Sequence, residues 1–218
     1  MVAYDLSHLT QPEDQKVIGP IQDDEALFLY SLIKGSRMRR VLEIGGLSGY
    51  SALNFLSALD RSTGNPTLYT VDFNEVPVQT PKEGSARHKI VIKNAVNLTS
   101  QDLDDERLDL VFFDCHDMVQ MKVYENLVKI GLVDDKTVIA LHDTNLHYEP
   151  HGPKNGPLVV EDGHQGRAHQ TVERIMVNIF KEKYGYDVYL LHTSPDVHHA
   201  EFPFRHGVAV CRKFRNLG

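Results

Sequence analysis

The sequence predicts an α/β fold: a doubly wound sheet, mostly parallel, finished by an antiparallel C-terminal strand pair. Three observations carry this expectation. Short apolar strands alternate with amphipathic helices, the pattern of a parallel sheet wrapped by helices. The run LDLVFFD, residues 108–114, is nearly all apolar and reads as a strand buried on both faces. The last two strand-like runs follow one another with no helical segment between them, which fits an antiparallel pair at the sheet edge.

Residues 22–34, QDDEALFLYSLIK, read as a helix whose acidic first turn suits the positive end of the helix dipole. With what precedes it, this makes an N-terminal helical segment over residues 1–35. Arg40 to Ile44 is a short apolar strand. Tyr50 to Leu59 is a helix, with Tyr50, Leu53 and Leu56, and Ala52, Phe55 and Leu59, at core spacing. Thr67 to Val71 is a second strand, ending at Asp72. Pro77 and Pro81 then impose an irregular connection. Strands are expected at Lys89 to Lys93, Leu108 to Phe113 and Lys136 to Leu141. Between the last two lies a helix from Met118 to Ile130, closed by Gly131 as its C-cap. Residues 144–164 are irregular and rich in His, Pro and Gly, and read as a substrate or lid loop. A helix follows from Arg167 to Lys183, with Ala168, Val172, Ile175, Met176 and Ile179 on one apolar face and Gly185 at its end. Strands at Asp187 to His192 and Gly207 to Lys213 complete a single domain over residues 1–218.

Composition narrows the function classes. The chain is 41% hydrophobic and 24% charged, ordinary for a soluble globular protein. No apolar run approaches the roughly 20 residues of a membrane helix. No signal peptide is visible at the N-terminus. A cytoplasmic protein that does not act on membranes is expected. A formal net charge of -7 argues against bulk nucleic-acid binding. Two cysteines, Cys115 and Cys211, are too few for a disulfide scaffold or a cysteine zinc site. Many of the 12 histidines fall between His142 and His206. They read as solvated loop residues or as members of a metal or proton-transfer site.

In such a sheet, ligands bind beyond the carboxyl ends of the strands. Four strands here end in polar residues or glycine: the turn Gly45-Gly46-Leu47-Ser48-Gly49, then Asp72, Asp114, and His142-Asp143. The turn fails the G-x-G-x-x-G spacing of a dinucleotide site and lacks the Gly-Lys-Ser/Thr of a phosphate loop. What is left is a turn that a ligand can approach closely, with Glu43 adding negative charge suited to a cationic or amino-bearing ligand. An acid at the end of the second strand, Asp72, is placed to accept bonds from ribose hydroxyls.

On these residues the chain resembles class I S-adenosylmethionine-dependent methyltransferases, whose sheet is Rossmann-like. More narrowly it resembles the small cation-dependent O-methyltransferases of the catechol and caffeoyl-CoA types. The matching segments are QDDEALFLYSLI, VLEIG and Gly45-Gly46-Leu47-Ser48-Gly49-Tyr50-Ser51-Ala52. The resemblance implies S-adenosylmethionine as cofactor. It implies Glu43, Gly45, Gly46, Ser48, Gly49 and Tyr50 around its methionine part, Asp72 on the ribose, Asn94 and Ala95 near the adenine, and Asp114 near the sulfonium. It also implies a divalent cation, magnesium or another, on Asp114, Asp143 and Asn145. The group's Asn directly follows the strand-five Asp, whereas here Thr144 intervenes. The group's Lys three residues after the strand-four Asp is Asp117 here. His116, His142 and Asp114 are then the candidate catalytic residues, with His116 or His142 as the base, since imidazole titrates near neutral pH.

The expected reaction is methylation of a hydroxyl on a small molecule: a natural product, a sugar or a catechol-like compound. Three alternatives stay open: a metal-independent N- or C-methyltransferase, a His- and Asp-dependent metal hydrolase on a similar sheet, and a cofactor-binding module without activity. The expected partner is the small-molecule acceptor, with no nucleic acid and no membrane, and a homodimer is compatible with the sequence.

Overall fold

Strands covered on both faces need apolar side chains on both, and this sequence supplies them. The computed structural model describes residues 21, 23–59, 64–78, 86–115, 119–144, 146–147, 159–160, 169–191 and 207–213. The elements run α1 (Asp23–Gly35), β1 (Arg40–Ile44), α2 (Tyr50–Leu59), β2 (Thr67–Asp72) and β3 (Arg87–Ile92). They continue with β4 (Leu110–Phe113), α3 (Val119–Lys129), β5 (Val138–Leu141), β6 (Leu146–His147), β7 (Val159–Val160), β8 (His169–Thr171), α4 (Val172–Glu182), β9 (Asp187–Leu191) and β10 (Val208–Arg212). Two short 3-10 turns, Ala95–Asn97 and Ser100–Leu103, lie between β3 and β4.

Seven strands form one sheet in the order β3-β2-β1-β4-β5-β10-β9. The first five are parallel to one another, and β10 runs antiparallel to both β5 and β9. This is the mostly parallel, doubly wound sheet expected, with the antiparallel pair closing one edge.

Alternate residues of each strand feed two cores. On one face, Val41, Leu68, Leu110, Phe112, Val138 and Ala140 pack with α1 and α2, through Ala26, Leu29, Ile33, Phe55 and Leu59. On the other, Leu42, Ile44, Val111, Phe113, Ile139 and Leu141 pack with α3 and α4, through Val123, Leu127, Met176 and Phe180. The period-two alternation of a strand therefore decides which helices each residue meets.

Element boundaries depart from expectation where polar side chains intervene. β5 begins at Val138 rather than Lys136. Asp134 folds the preceding residues into a turn: its Oδ1 accepts from Lys136 N–H (2.8 Å) and its carbonyl from Thr137 N–H (3.0 Å). β4 begins at Leu110 rather than Leu108, and β3 at Arg87 rather than Lys89. α3 is closed by Gly131 in the left-handed region (φ 78), as expected of a C-cap.

The larger correction concerns α4. It begins at Val172, not Arg167, because His169–Thr171 is a strand. That strand pairs antiparallel with β6 and β7, forming a small second sheet. The expected irregular stretch 144–164 thus contributes two short strands, and its other residues beyond Thr144 lie outside the described ones. The buried face of α4 is also turned from the expected one. Val172, Met176, Val177 and Phe180 are buried, whereas Ile175 and Ile179 are half-buried.

Phe180 packs edge-to-face against Tyr124 (centroids 4.7 Å apart) and Tyr186 (5.3 Å). Truncating a fully buried aromatic leaves a cavity and removes these contacts. Phe180→Ala is expected to lower unfolding free energy by about 3–5 kcal/mol, read from urea denaturation.

Candidate functional site

The strand ends meet at one rim because the ladders continue past them. Gly45 N–H donates to Val71 O (3.0 Å), Asp114 N–H to Ile44 O (2.9 Å), and His142 N–H to Phe113 O (3.1 Å). Gly45, Asp72, Asp114 and His142, scattered over the sequence, therefore stand side by side at the ends of β1, β2, β4 and β5. β1 lies between β2 and β4, where the winding direction of the sheet reverses. Crevices form at such reversals.

The glycines of the first turn are required by packing of the chain on itself. Gly45 has φ 96, and a Cβ there would lie 2.4 Å from the Asp114 carbonyl oxygen. A Cβ on Gly46 would lie 2.4 Å from Thr70 Cγ2 and 2.9 Å from a Val76 methyl. The close approach inferred from the sequence is thus, at these two positions, an approach of protein to protein. The turn presents Leu47 and Ser48 to solvent, and Tyr50, at the start of α2, is half-buried. Gly49 has φ 78 and its N–H closes the turn on Gly46 O (2.8 Å).

Asp72 ties this turn to β2. Its Oδ2 accepts from Gly46 N–H (2.9 Å) and its Oδ1 from Asn74 N–H (2.9 Å). A carboxylate has about four acceptor sites, so these two bonds orient Asp72 without exhausting it. Lys93 N–H bonds Asp72 O (2.9 Å), which brings Asn94 and Ala95 next to the same strand end. Asn94 caps the following 3-10 turn by accepting from Val96 N–H (3.0 Å), and Ala95 is buried.

Glu43 points away from the open rim. It is fully buried on the α2 side of β1, where Ser51 Oγ donates to Oε1 and Thr70 Oγ1 to Oε2 (2.7 Å). Burial outweighs these two bonds and, with the nearby Asp114 and Asp72 charges, pushes its carboxyl up to about 7.

His142 occupies the centre of a buried chain of polar groups. Its Nδ1 faces Asp114 Oδ1 at 3.0 Å and Asp143 Oδ1 at 3.7 Å, and its Nε2 faces Glu25 Oε2 at 3.1 Å. Burial alone would lower the imidazole pKa. The Asp143, Asp114 and Glu25 carboxylates prevail and hold it well above its ordinary value. With a carboxylate at each nitrogen, both sides of the ring are engaged by the protein itself. That argues against His142 as the base. Asp114 keeps 15% side-chain exposure, so the chain of groups reaches the rim through it. Asp143 is buried in the left-handed region (φ 51), which costs a non-glycine residue energy and persists where surroundings fix it. One ligand atom each from Asp114, His142 and Asp143 lie within 4.8 Å of one another, close enough to share one ion.

Glu25 is the member that sequence reading missed. Its Oε1 accepts from Gly207 N–H (2.6 Å), so it joins α1, β5 and the start of β10. The available signal was its place on the buried stripe Glu25, Ala26, Leu29, Tyr30 and Ile33, rather than on the solvent face that a dipole-stabilising acid occupies. His116 and Asn145, two further candidates, lie outside the described residues, as do residues 1–20. Among the described residues, no helix is long and apolar enough to cross a membrane.

With this geometry in place, residues 42–144 match the sequence profile of a family described as "Methyltransferase domain". These residues run from Leu42 within β1 to just past β5 and include every strand end that meets at the rim. Beyond the matched residues, about nine-tenths of the chain shares its fold with solved proteins, O-methyltransferases among them. Cofactor-bound Rv0187 from MTB is 19% identical, over 91% of this chain and 83% of that one, with a TM-score of 0.61. An O-methyltransferase from Bacillus cereus, solved with SAH, is 15% identical over 90% and 84% (TM-score 0.59). The O-methyltransferase TomG from Streptomyces achromogenes, involved in tomaymycin synthesis and solved with SAM, is 16% identical over 88% and 81% (TM-score 0.54). A search of curated proteins gives no match to this sequence.

The elevated Glu43 carboxyl makes stability depend on pH in a definite direction. Between its ordinary value of 4.5 and about 7, the folded protein binds this proton and the unfolded chain does not. Stability is therefore lost as pH rises through that window, by up to about 3 kcal/mol. Urea denaturation of the ligand-free protein at pH 5 and pH 6.5, below the range where His142 contributes, should show much of this loss, and Glu43→Gln should remove most of it.

Proposed function

We propose that this methyltransferase uses S-adenosylmethionine to methylate a hydroxyl of a small molecule, with a divalent cation held by Asp114 and Asp143. The observation that carries the reading is the placement of Asp72 and Asp114 beside the glycine turn at the strand ends, acidic neighbours suited to a ligand bearing an ammonium and a sulfonium. Asp72, already oriented by Gly46 and Asn74, would accept bonds from the two ribose hydroxyls. Asn94 and Ala95 would border the adenine. The turn from Gly45 through Gly46, Ser48 and Gly49 to Tyr50 would border the methionine part. Glu43 would act at one remove, by holding Ser51 at the start of α2 and adding negative charge behind the turn.

The donor set suits a hard or borderline cation, because carboxylate oxygens bind magnesium, calcium and manganese. Such an ion, when bound, lowers the pKa of a coordinated hydroxyl and fixes its position. Asp114 and Asp143 would hold it, with Asn145 as a third ligand. The hydroxyl must lose its proton as its oxygen accepts the methyl. His116, two residues beyond Asp114, is the favoured acceptor, since His142 is engaged at both nitrogens. Holding donor and acceptor in line would supply much of the rate. The acceptor class extends from natural products to sugars and catechol-like molecules. The protein is expected to work in the cytoplasm, and homodimer formation is compatible with this reading.

Calorimetric titration with S-adenosylhomocysteine tests the cofactor. One site per chain is expected, and no binding at high micromolar ligand would sink the proposal. Asp72→Asn keeps an acceptor for Gly46 and should still weaken binding by roughly 10–100-fold, the effect of removing hydrogen bonds to a charged group. For the acceptor, methyl transfer across a panel of small hydroxyl compounds should stop with chelator and in Asp143→Ala. Turnover that survives both would remove the cation from the mechanism.

A further inference from the structure

We propose that His142 is a nitrogen ligand of the cation site, positioned by Glu25, and that the site therefore prefers manganese-class transition ions to magnesium. This rests on the divalent-cation reading above and deepens it.

The ligand set implied by resemblance is all oxygen. The geometry points elsewhere. His142 Nδ1 lies 3.0 Å from Asp114 Oδ1 and 3.7 Å from Asp143 Oδ1. These are separations that neighbouring ligands keep around one first-row ion, whose bonds to nitrogen and oxygen are about 2.0–2.2 Å. All three side chains come from the ends of two adjacent parallel strands, β4 and β5, so the backbone ladder fixes their spacing.

The ring is also held in the way a ligating histidine is held. Metal-bound imidazoles almost always donate the other N–H to a carboxylate or carbonyl, which sets tautomer and orientation. Glu25 Oε2 supplies that acceptor at 3.1 Å from Nε2. Glu25 is itself fixed, because its other oxygen accepts from Gly207 N–H at 2.6 Å. With the Nε2 proton committed to Glu25, Nδ1 is the nitrogen that faces Asp114 and Asp143. A cation there takes the place of the Nδ1 proton, which leaves to solvent. An imidazole in the set discriminates: magnesium favours oxygen ligands and retains water, whereas manganese, cobalt and zinc accept nitrogen. Glu25 is a positioning residue in this scheme, because it touches the ligand and not the ion.

The test is pulsed electron paramagnetic resonance of the full chain loaded with Mn2+, read alongside S-adenosylhomocysteine titration. One Mn2+ per chain is expected, with nitrogen-14 modulation that changes to nitrogen-15 modulation when histidine is isotopically labelled. His142→Gln should abolish that signature. Competition should show Mn2+ bound at least about tenfold more tightly than Mg2+. Glu25→Gln should weaken Mn2+ binding about 10–100-fold, the usual effect of altering a residue behind a metal ligand. Its affinity for S-adenosylhomocysteine should be unchanged, which guards against simple misfolding. Mn2+ bound without nitrogen modulation in the unaltered chain would overturn the inference and leave the proposed function standing. A chain that binds S-adenosylhomocysteine but no Mn2+ would overturn both the nitrogen ligand and the cation. Failure to bind S-adenosylhomocysteine is the separate result that defeats the methyl-donor reading.

Discussion

Four carboxylates and one imidazole share a space at the strand ends where water is mostly excluded. Glu25, Glu43, His142 and Asp143 are fully buried and Asp114 nearly so. Charges in such a setting must be neutralised or paired, because desolvation penalises each one. The protein answers in two ways. Burial raises the Glu43 carboxyl to about 7, and the carboxylates around His142 raise its imidazole well above the ordinary value. Even then, negative charge exceeds positive, so the pocket favours cationic ligands. The proposed roles of a sulfonium cofactor and a divalent ion both follow from that imbalance.

The same imbalance is written in the alternation of the strands. Glu43 follows Val41 at the two-residue period, and His142 follows Ala140, so both fall on the face that α1 and α2 cover. Asp114 follows Phe112 likewise. Glu25 on α1 and Ser51 on α2 are therefore the side chains they meet. That layer carries Glu25, Glu43, Asp114 and His142. The opposite layer, filled by α3, α4 and an aromatic group around Phe180, is mainly apolar, with Gln120 Nε2 donating to Glu173 Oε1 (2.7 Å) between the two helices.

Much of this was legible in the sequence, and the departures have local physical causes. β1 and α2 were readable to the residue, because apolar runs and glycines bounded them. The strand-end acids were readable because a parallel sheet gathers its carboxyl ends. Glu25 was not, since an acid in a helix's first turn already has an explanation in the dipole, and only burial tells the two apart. The start of α4 was misplaced because His169–Thr171 pairs with short strands distant in sequence, and such pairing leaves no periodic trace in three residues. The role of His142 was also hidden. A histidine at a strand end titrates usefully or sits clamped between acids according to what the rest of the chain brings to it.

The hydrogen bond from Gly207 to Glu25 spans 182 residues. During synthesis the glycine turn and β2 emerge early and can pair at once, whereas the bond that fixes Glu25 behind His142 must wait for Gly207. Closing so long a loop is slow and is rewarded late in folding. A nascent chain would therefore hold the half of the site nearest the glycine turn well before it holds the half around His142. Any chain that stops short of Gly207 would hold the first while lacking the bond that fixes Glu25 in the second.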